Sequence, residues 1–183
     1  IAQMHKAITI IQFKLEGEII RRRPEFEMDD RMLLHHIDLK RGVVHIDGKD
    51  YTLKDTNWPT LDPKDPYRLS IEEEDLIRKI LHSFESSEKM KKHMRCFFRH
   101  GGMYQVCNSN LLFHASIPMN PDGTFKSVRI LGQDYKGRAL LDRVDQLIRT
   151  AYFKTGEQEE VKYAHDYIWY LWCGEDAPSF GKD

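Results

Sequence analysis

Residues 103 to 131 read MYQVCNSNLLFHASIPMNPDGTFKSVRIL. Before this stretch, apolar residues mostly recur at helical spacing. Here the texture changes to short runs of aliphatic and aromatic residues. Asn108-Ser109-Asn110 and Asn120-Pro121-Asp122-Gly123 break it into three strand-like pieces. Helical patterns resume in KGRALLDRVDQLIRTAYF (136–153) and EQEEVKYAHDYIWYLW (157–172). Helices, then strands, then helices predict a mixed fold, α/β or α+β.

Within that stretch, Leu111, Leu112 and Phe113 show little alternation, which predicts a strand covered on both faces. The run ends in His114, followed by Ala115 and Ser116. Ligands gather where buried strands end, and a neutral imidazole there can bind a first-row divalent metal. The small residues would leave room for a substrate. The ordinary alternative is a histidine that hydrogen-bonds in a turn, and the residues alone leave both open.

Working back toward residue 1, IAQMHKAITIIQFKLEGEIIRRRPEF carries Met4, Ile8, Ile11, Leu15 and Ile19 at three- or four-residue spacing. This predicts one helix over 1–23, stopped by Pro24. Arg21, Arg22 and Arg23 fall in its last turn, where cations suit the helix dipole; gripping phosphate is the sharper reading. MDDRMLLHHIDL (28–39) predicts a shorter helix, on which Asp29 and His36 could share a face as two metal ligands; two ligands are not a site, and a solvated helix face is the ordinary reading. GVVHIDGKDYTL predicts a hairpin near 43–53 turning at Asp47-Gly48. A proline-punctuated loop follows at 57–67. Ser70 and Glu73 form a capping-box pattern ahead of an apolar face of Leu76, Ile77, Ile80 and Leu81. SEKMKKHMRCFFRHGG predicts a further helix ended by Gly101-Gly102.

Composition narrows the classes. With 40% hydrophobic and 31% charged residues, the 183-residue chain is globular, not disordered. A net charge of -1 gives no electrostatic case for a nucleic-acid partner. No apolar run approaches a membrane span. Cys96, Cys107 and Cys173 are too few for a disulfide framework and point to a reducing compartment; Cys107 reads as a small core hydrophobe. The stripe under way near residue 1 without a capping residue, and Trp169, Trp172 and Phe180 close to the other end, predict an internal piece of a longer protein.

Five ordered stretches, 10–31 (IIQFKLEGEIIRRRPEFEMDDR), 59–70 (PTLDPKDPYRLS), 108–126 (NSNLLFHASIPMNPDGTFK), 135–153 (YKGRALLDRVDQLIRTAYF) and 169–183 (WYLWCGEDAPSFGKD), together resemble the class III fructose-1,6-bisphosphatases. The resemblance covers nearly the whole chain. It implies hydrolysis of fructose 1,6-bisphosphate to fructose 6-phosphate and phosphate in gluconeogenesis, by a cytoplasmic enzyme. It also implies a calcineurin-like metallophosphoesterase β-sandwich flanked by helices, with a pair of divalent metals, usually manganese (Mn2+). Residues 1–105 would then be a mainly helical region and 106–183 part of the core.

The resemblance assigns His114 as a metal ligand. Ala115 stands where the family most often has glycine, which leaves the loop geometry there open. The family's aspartate-rich, Gly-Asn-His and Gly-His motifs are not in this sequence. Its catalytic residues are therefore expected outside 1–183, and this piece alone is expected to be inactive. Arg21 to Arg23, Lys136 and Lys182 are candidates for gripping the sugar bisphosphate by charge only. Two other readings stay open: a non-catalytic interaction domain sharing this ancestry, and a phosphatase for another phosphoester. An oligomer is possible.

Overall fold

A computed structural model describes residues 1–114 and 116–180. The chain divides into two units, Ile1–Ser87 and Glu88–Asp183. Helices mix with small antiparallel sheets of three, two and two strands, the α/β mixture that the sequence pattern predicts.

The first unit begins with α1, Ala2–Arg22, as its stripe predicts. The buried side is turned away from the predicted stripe, however. It carries Ile10, Ile11, Lys14, Gly17 and Ile20, while Met4 and Ile8 are exposed. The cause is Tyr67, whose buried ring lies directly on the helix at Gly17. A Cβ added to Gly17 would stand 2.0 Å from Tyr67 Cδ1, so only glycine admits the ring.

Residues 28–39 do not form the predicted helix. Glu27 takes a positive φ of 53°, and short 3-10 turns follow at Asp29–Arg31 and Leu34–His36. The amide of Leu34, which a helix would turn back onto the chain, instead donates to the Tyr67 hydroxyl at 3.0 Å. A tertiary acceptor has displaced the local one. Strand β1, Ile37–Asp38, then pairs with β2, Val43–Ile46, and β2 with β3, Lys49–Thr52. Asp47 and Gly48 both have left-handed φ, 49° and 75°, as the predicted two-residue turn requires.

Helix α2, Ile71–Glu85, starts with both halves of the predicted capping box. The Glu73 amide donates to Ser70 Oγ, and the Ser70 amide donates to Glu73 Oε2 at 2.7 Å. Its predicted apolar face is not buried: Leu76 and Leu81 are exposed. Glu73 is instead the residue it buries.

The second unit opens with α3, Glu88–His100, ended at Gly101-Gly102 as predicted. Arg149 holds that end, donating to the carbonyls of Phe98 at 2.6 Å and Gly101 at 3.1 Å. Two hairpins follow. Strand β4, Tyr104–Cys107, pairs with β5, Asn110–Phe113, through a turn in which Asn108 and Ser109 are both left-handed. Strand β6, Val128–Ile130, pairs with β7, Gln133–Tyr135. Helices α4, Gly137–Phe153, and α5, Glu159–Cys173, supply the core of this unit. Leu140, Val144 and Leu147 of α4 and Val161, Ala164 and Tyr167 of α5 are fully or almost fully buried, together with Ile130.

Candidate functional site

The strand that leads to His114 is unlike its sequence reading. All four residues of β5 are exposed, so Leu111, Leu112 and Phe113 are not covered on both faces. Cys107, expected in the core, is exposed in β4. The physical reason is that β5 sits in a lone two-stranded hairpin, not in the interior of a larger sheet.

His114 follows β5 directly and is exposed. With His100, Phe97, Tyr104, Phe113 and Trp172 it lines a groove of about 1060 Å³. Ala115, which stands where the family most often has glycine, lies outside the described residues. The segment beyond it is pinned: the Ser116 amide donates to the Pro178 carbonyl at 3.2 Å, and its hydroxyl to the Phe180 carbonyl at 3.2 Å. Lys126 pairs with Asp176 at 2.7 Å, binding the following loop to the same terminal stretch. These ties set the path of the chain on the far side of His114.

A divalent metal held by protein takes three or more donors from side chains of this kind. Among the described residues, no three His, Cys, Asp or Glu side chains converge. His114 is therefore a single donor and does not by itself fit a metal centre. Asp29 and His36 do not share a helix face, because the segment between them is a series of 3-10 turns and not a helix. His36 instead lies against His35, with ring centroids 4.1 Å apart.

The arginines at the end of α1 have partners. Arg21 pairs with Asp65 at 3.0 Å and lies over the Tyr67 ring, 4.7 Å from its centroid. Arg23 is buried, with Nη1 3.9 Å from Glu25. Only Arg21 and Arg22 fall in the last helical turn. Lys136 is exposed just ahead of α4, and Lys182 lies outside the described residues.

A buried polar cluster in the first unit is one the sequence pattern missed. Lys14 is completely buried, and its ammonium donates to Glu73 Oε2 at 2.7 Å and to the Thr60 carbonyl at 2.6 Å. Burial pushes the Glu73 carboxyl up, but Lys14, Thr60 and the Ser70 amide together outweigh it and hold the group below the usual range. Nearby, the Tyr67 hydroxyl is 3.2 Å from His35 Nδ1. Partial desolvation, then the charges of His36 and Arg21, lower the pKa of His35, which favours its neutral form. Gly17, a glycine in mid-helix, was the one available signal of this close approach.

No helix among the described residues is long and apolar enough to cross a membrane. Comparison with known proteins gives a consistent answer. A protein of Parabacteroides distasonis called fructose-1,6-bisphosphatase class 3 is 97% identical over the whole of this chain, which covers 27% of that relative. Proteins of the same name from Bacteroides fragilis and Alkaliphilus metalliredigens are 66% and 54% identical, again over all of this chain and 28% of theirs. The chain thus spans little more than a quarter of the length of the curated relatives it matches. No solved structure matches it. The family model described as Firmicute fructose-1,6-bisphosphatase matches residues 1–183, every residue of the sequence, and the chain belongs to that family.

Proposed function

We propose that this chain is a segment of a cytoplasmic fructose-1,6-bisphosphatase, which hydrolyses fructose 1,6-bisphosphate to fructose 6-phosphate and phosphate in gluconeogenesis. The observation that carries the reading is the family match over residues 1–183, joined to relatives of that name at up to 97% identity. Residues 106–183 would contribute to a metallophosphoesterase β-sandwich, and 1–105 would form its helical companion. Manganese is the metal this reading calls for, as a pair. Such a pair supplies charge neutralisation at the phosphoryl group and activation of the attacking water.

The part assigned to this chain is narrower. His114 presents one imidazole donor directly after β5, at the groove. The other ligands and the general acid would come from polypeptide outside 1–183. By itself the chain has one donor where several are needed, so it is inactive.

The test is phosphate release from fructose 1,6-bisphosphate with manganese present, for three samples. The full-length protein turns over, the same protein with His114→Ala loses most of its activity and manganese content, and the 183-residue chain is silent. Full metal content and turnover in the His114→Ala protein would make His114 an ordinary turn histidine. Turnover by the 183-residue chain would show that the site is complete without the rest. A panel of other sugar phosphates and phosphopeptides fixes the substrate class, with fructose 1,6-bisphosphate expected to lead.

A further inference from the structure

Helix α3 carries more positive charge than its own stability favours. Its sequence, EKMKKHMRCFFRH, sets five lysines and arginines against one acid, Glu88. Lys89, Lys92, Arg95 and Arg99 are exposed and follow one another at three- and four-residue spacing, which lines them up along one side of the helix. Lys91 pairs with Glu88 at 2.8 Å. Among the described residues, Lys89, Lys92 and Arg99 have no carboxylate partner. Exposed cations on other elements do have one, as Arg41 has Asp50, Lys79 has Asp75 and Arg138 has Asp142.

This pattern weakens the helix that bears it. Like charges three and four residues apart repel, and Lys89 and Lys91 fall in the first turn, where the dipole disfavours cations. The anchor of α3 lies elsewhere on its surface. The buried Phe98 ring lies with its centroid 4.6 Å from that of Tyr152 and 5.2 Å from that of Phe153. The cations are thus held in a fixed row without contributing to the packing.

The same helix borders the groove at His114, through Phe97 and His100. The groove itself is lined, among the described residues, by no Lys, Arg, Asp or Glu. Asp142, which accepts from the Tyr104 hydroxyl at 3.0 Å, is paired with Arg138, and Asp145 with Arg149, so neither opposes the row with a free charge. Lys92, Arg95 and Arg99 stand within five residues of Phe97, about 8 Å along the helix axis. Charges act over about 8–10 Å at ordinary ionic strength, and apolar walls carry a field further than water does.

We propose that the cationic row of α3 recruits the anionic substrate to this groove by long-range attraction. The inference rests on the fructose-1,6-bisphosphatase reading, whose substrate has two phosphate groups and a charge of about −3 to −4 near neutral pH. Lys92, Arg95 and Arg99 are positioning residues: they raise the concentration of the bisphosphate at the groove and leave its direct contacts to other groups. Their effect falls on KM and not on kcat, and salt removes it.

The test is made on the full-length protein with manganese, measuring KM and kcat for fructose 1,6-bisphosphate at low and high salt. KM is expected to rise with salt. In Lys92→Gln/Arg95→Gln/Arg99→Gln it is expected to be roughly tenfold higher at low salt and nearly indifferent to salt, with kcat retained. The charge-keeping Lys92→Arg/Arg95→Lys/Arg99→Lys protein is expected to keep the original KM, which separates charge from shape. Lys89→Gln/Lys92→Gln, both exposed and more than one turn from Phe98, is expected to shift KM the same way by a smaller factor. Hydrolysis with a KM that responds neither to salt nor to the glutamine changes overturns the inference. So does a fall in kcat at constant KM, which would place these cations at the reacting group or in the fold. A full-length protein that does not hydrolyse fructose 1,6-bisphosphate at all is a different result: it defeats the underlying reading, and the inference falls with it.

Discussion

Helices α1 and α4 are both fixed in their units, but by opposite means. Helix α4 turns Leu140, Val144 and Leu147 into an apolar core shared with α5. Helix α1 buries a lysine, and its anchor is a charged network of Lys14, Glu73 and the Thr60 carbonyl beside the Tyr67 ring. An apolar core tolerates change in proportion to volume and ignores pH. A buried ion pair depends on both partners being present and charged, so half of it is worse than none.

The sharpest way to break this comparison is Lys14→Ala. It leaves Glu73 buried without its cation and is expected to cost about 3–5 kcal/mol. The measurement is the opening free energy of α1 amides by hydrogen exchange. Replacing both partners, with Lys14→Met and Glu73→Leu, is expected to recover most of that loss, since no charge is then stranded. A double variant as unstable as the single one would mean that the anchor is not the ion pair.

On the other side, Leu147→Ala removes a fully buried side chain from α4. The expected loss is about 3 kcal/mol, read from the exchange of α4 and α5 amides, and it should not vary between pH 4 and 8.

Gly17→Ala tests the contact that turns α1. Alanine would ordinarily stabilise a helix by about 1 kcal/mol over glycine. Here its Cβ would meet the Tyr67 ring, so a net loss of about 1–3 kcal/mol is expected from overpacking. A stabilised Gly17→Ala protein would show that Tyr67 can move aside. Ser70→Ala removes the cap of α2 and is expected to cost about 1 kcal/mol in urea unfolding.

The same pair, Lys14 and Glu73, makes the first unit sensitive to pH. The folded state holds Glu73 below its usual pKa. Its contribution is therefore fully present above the unfolded glutamate value of about 4.3, and is lost as pH falls through the lower folded value. Protection of α1 amides should decline in acid below that point, and Lys14→Met/Glu73→Leu should abolish the decline.

Several elements were legible because their causes are local. The capping box at Ser70 and Glu73, the Asp47-Gly48 turn and the Gly101-Gly102 stop each depend on residues within one turn of chain. The 28–39 segment was not legible, because the hydroxyl that captures the Leu34 amide comes from Tyr67, 33 residues away. Lys14 was equally hidden: a lysine on a helix is ordinarily solvated, and only a carboxylate brought from another helix makes its burial possible. At the candidate site, His114 at the end of an apolar strand could be read directly. That β5 would be exposed could not, since periodicity reports what a strand needs covered and not what covers it.

By itself, then, the sequence determined the five longer helices, the caps and turns at Ser70 and Glu73, Asp47-Gly48 and Gly101-Gly102, and membership of a family through five ordered stretches. Those are matters of short-range backbone preference and of residue identity. Tertiary structure alone decided which side of α1 is buried, which amide Tyr67 captures, and that the groove beside His114 stands open and apolar. Each of these depends on groups far apart in the chain meeting at a given distance, and spacing along a sequence carries no such distance.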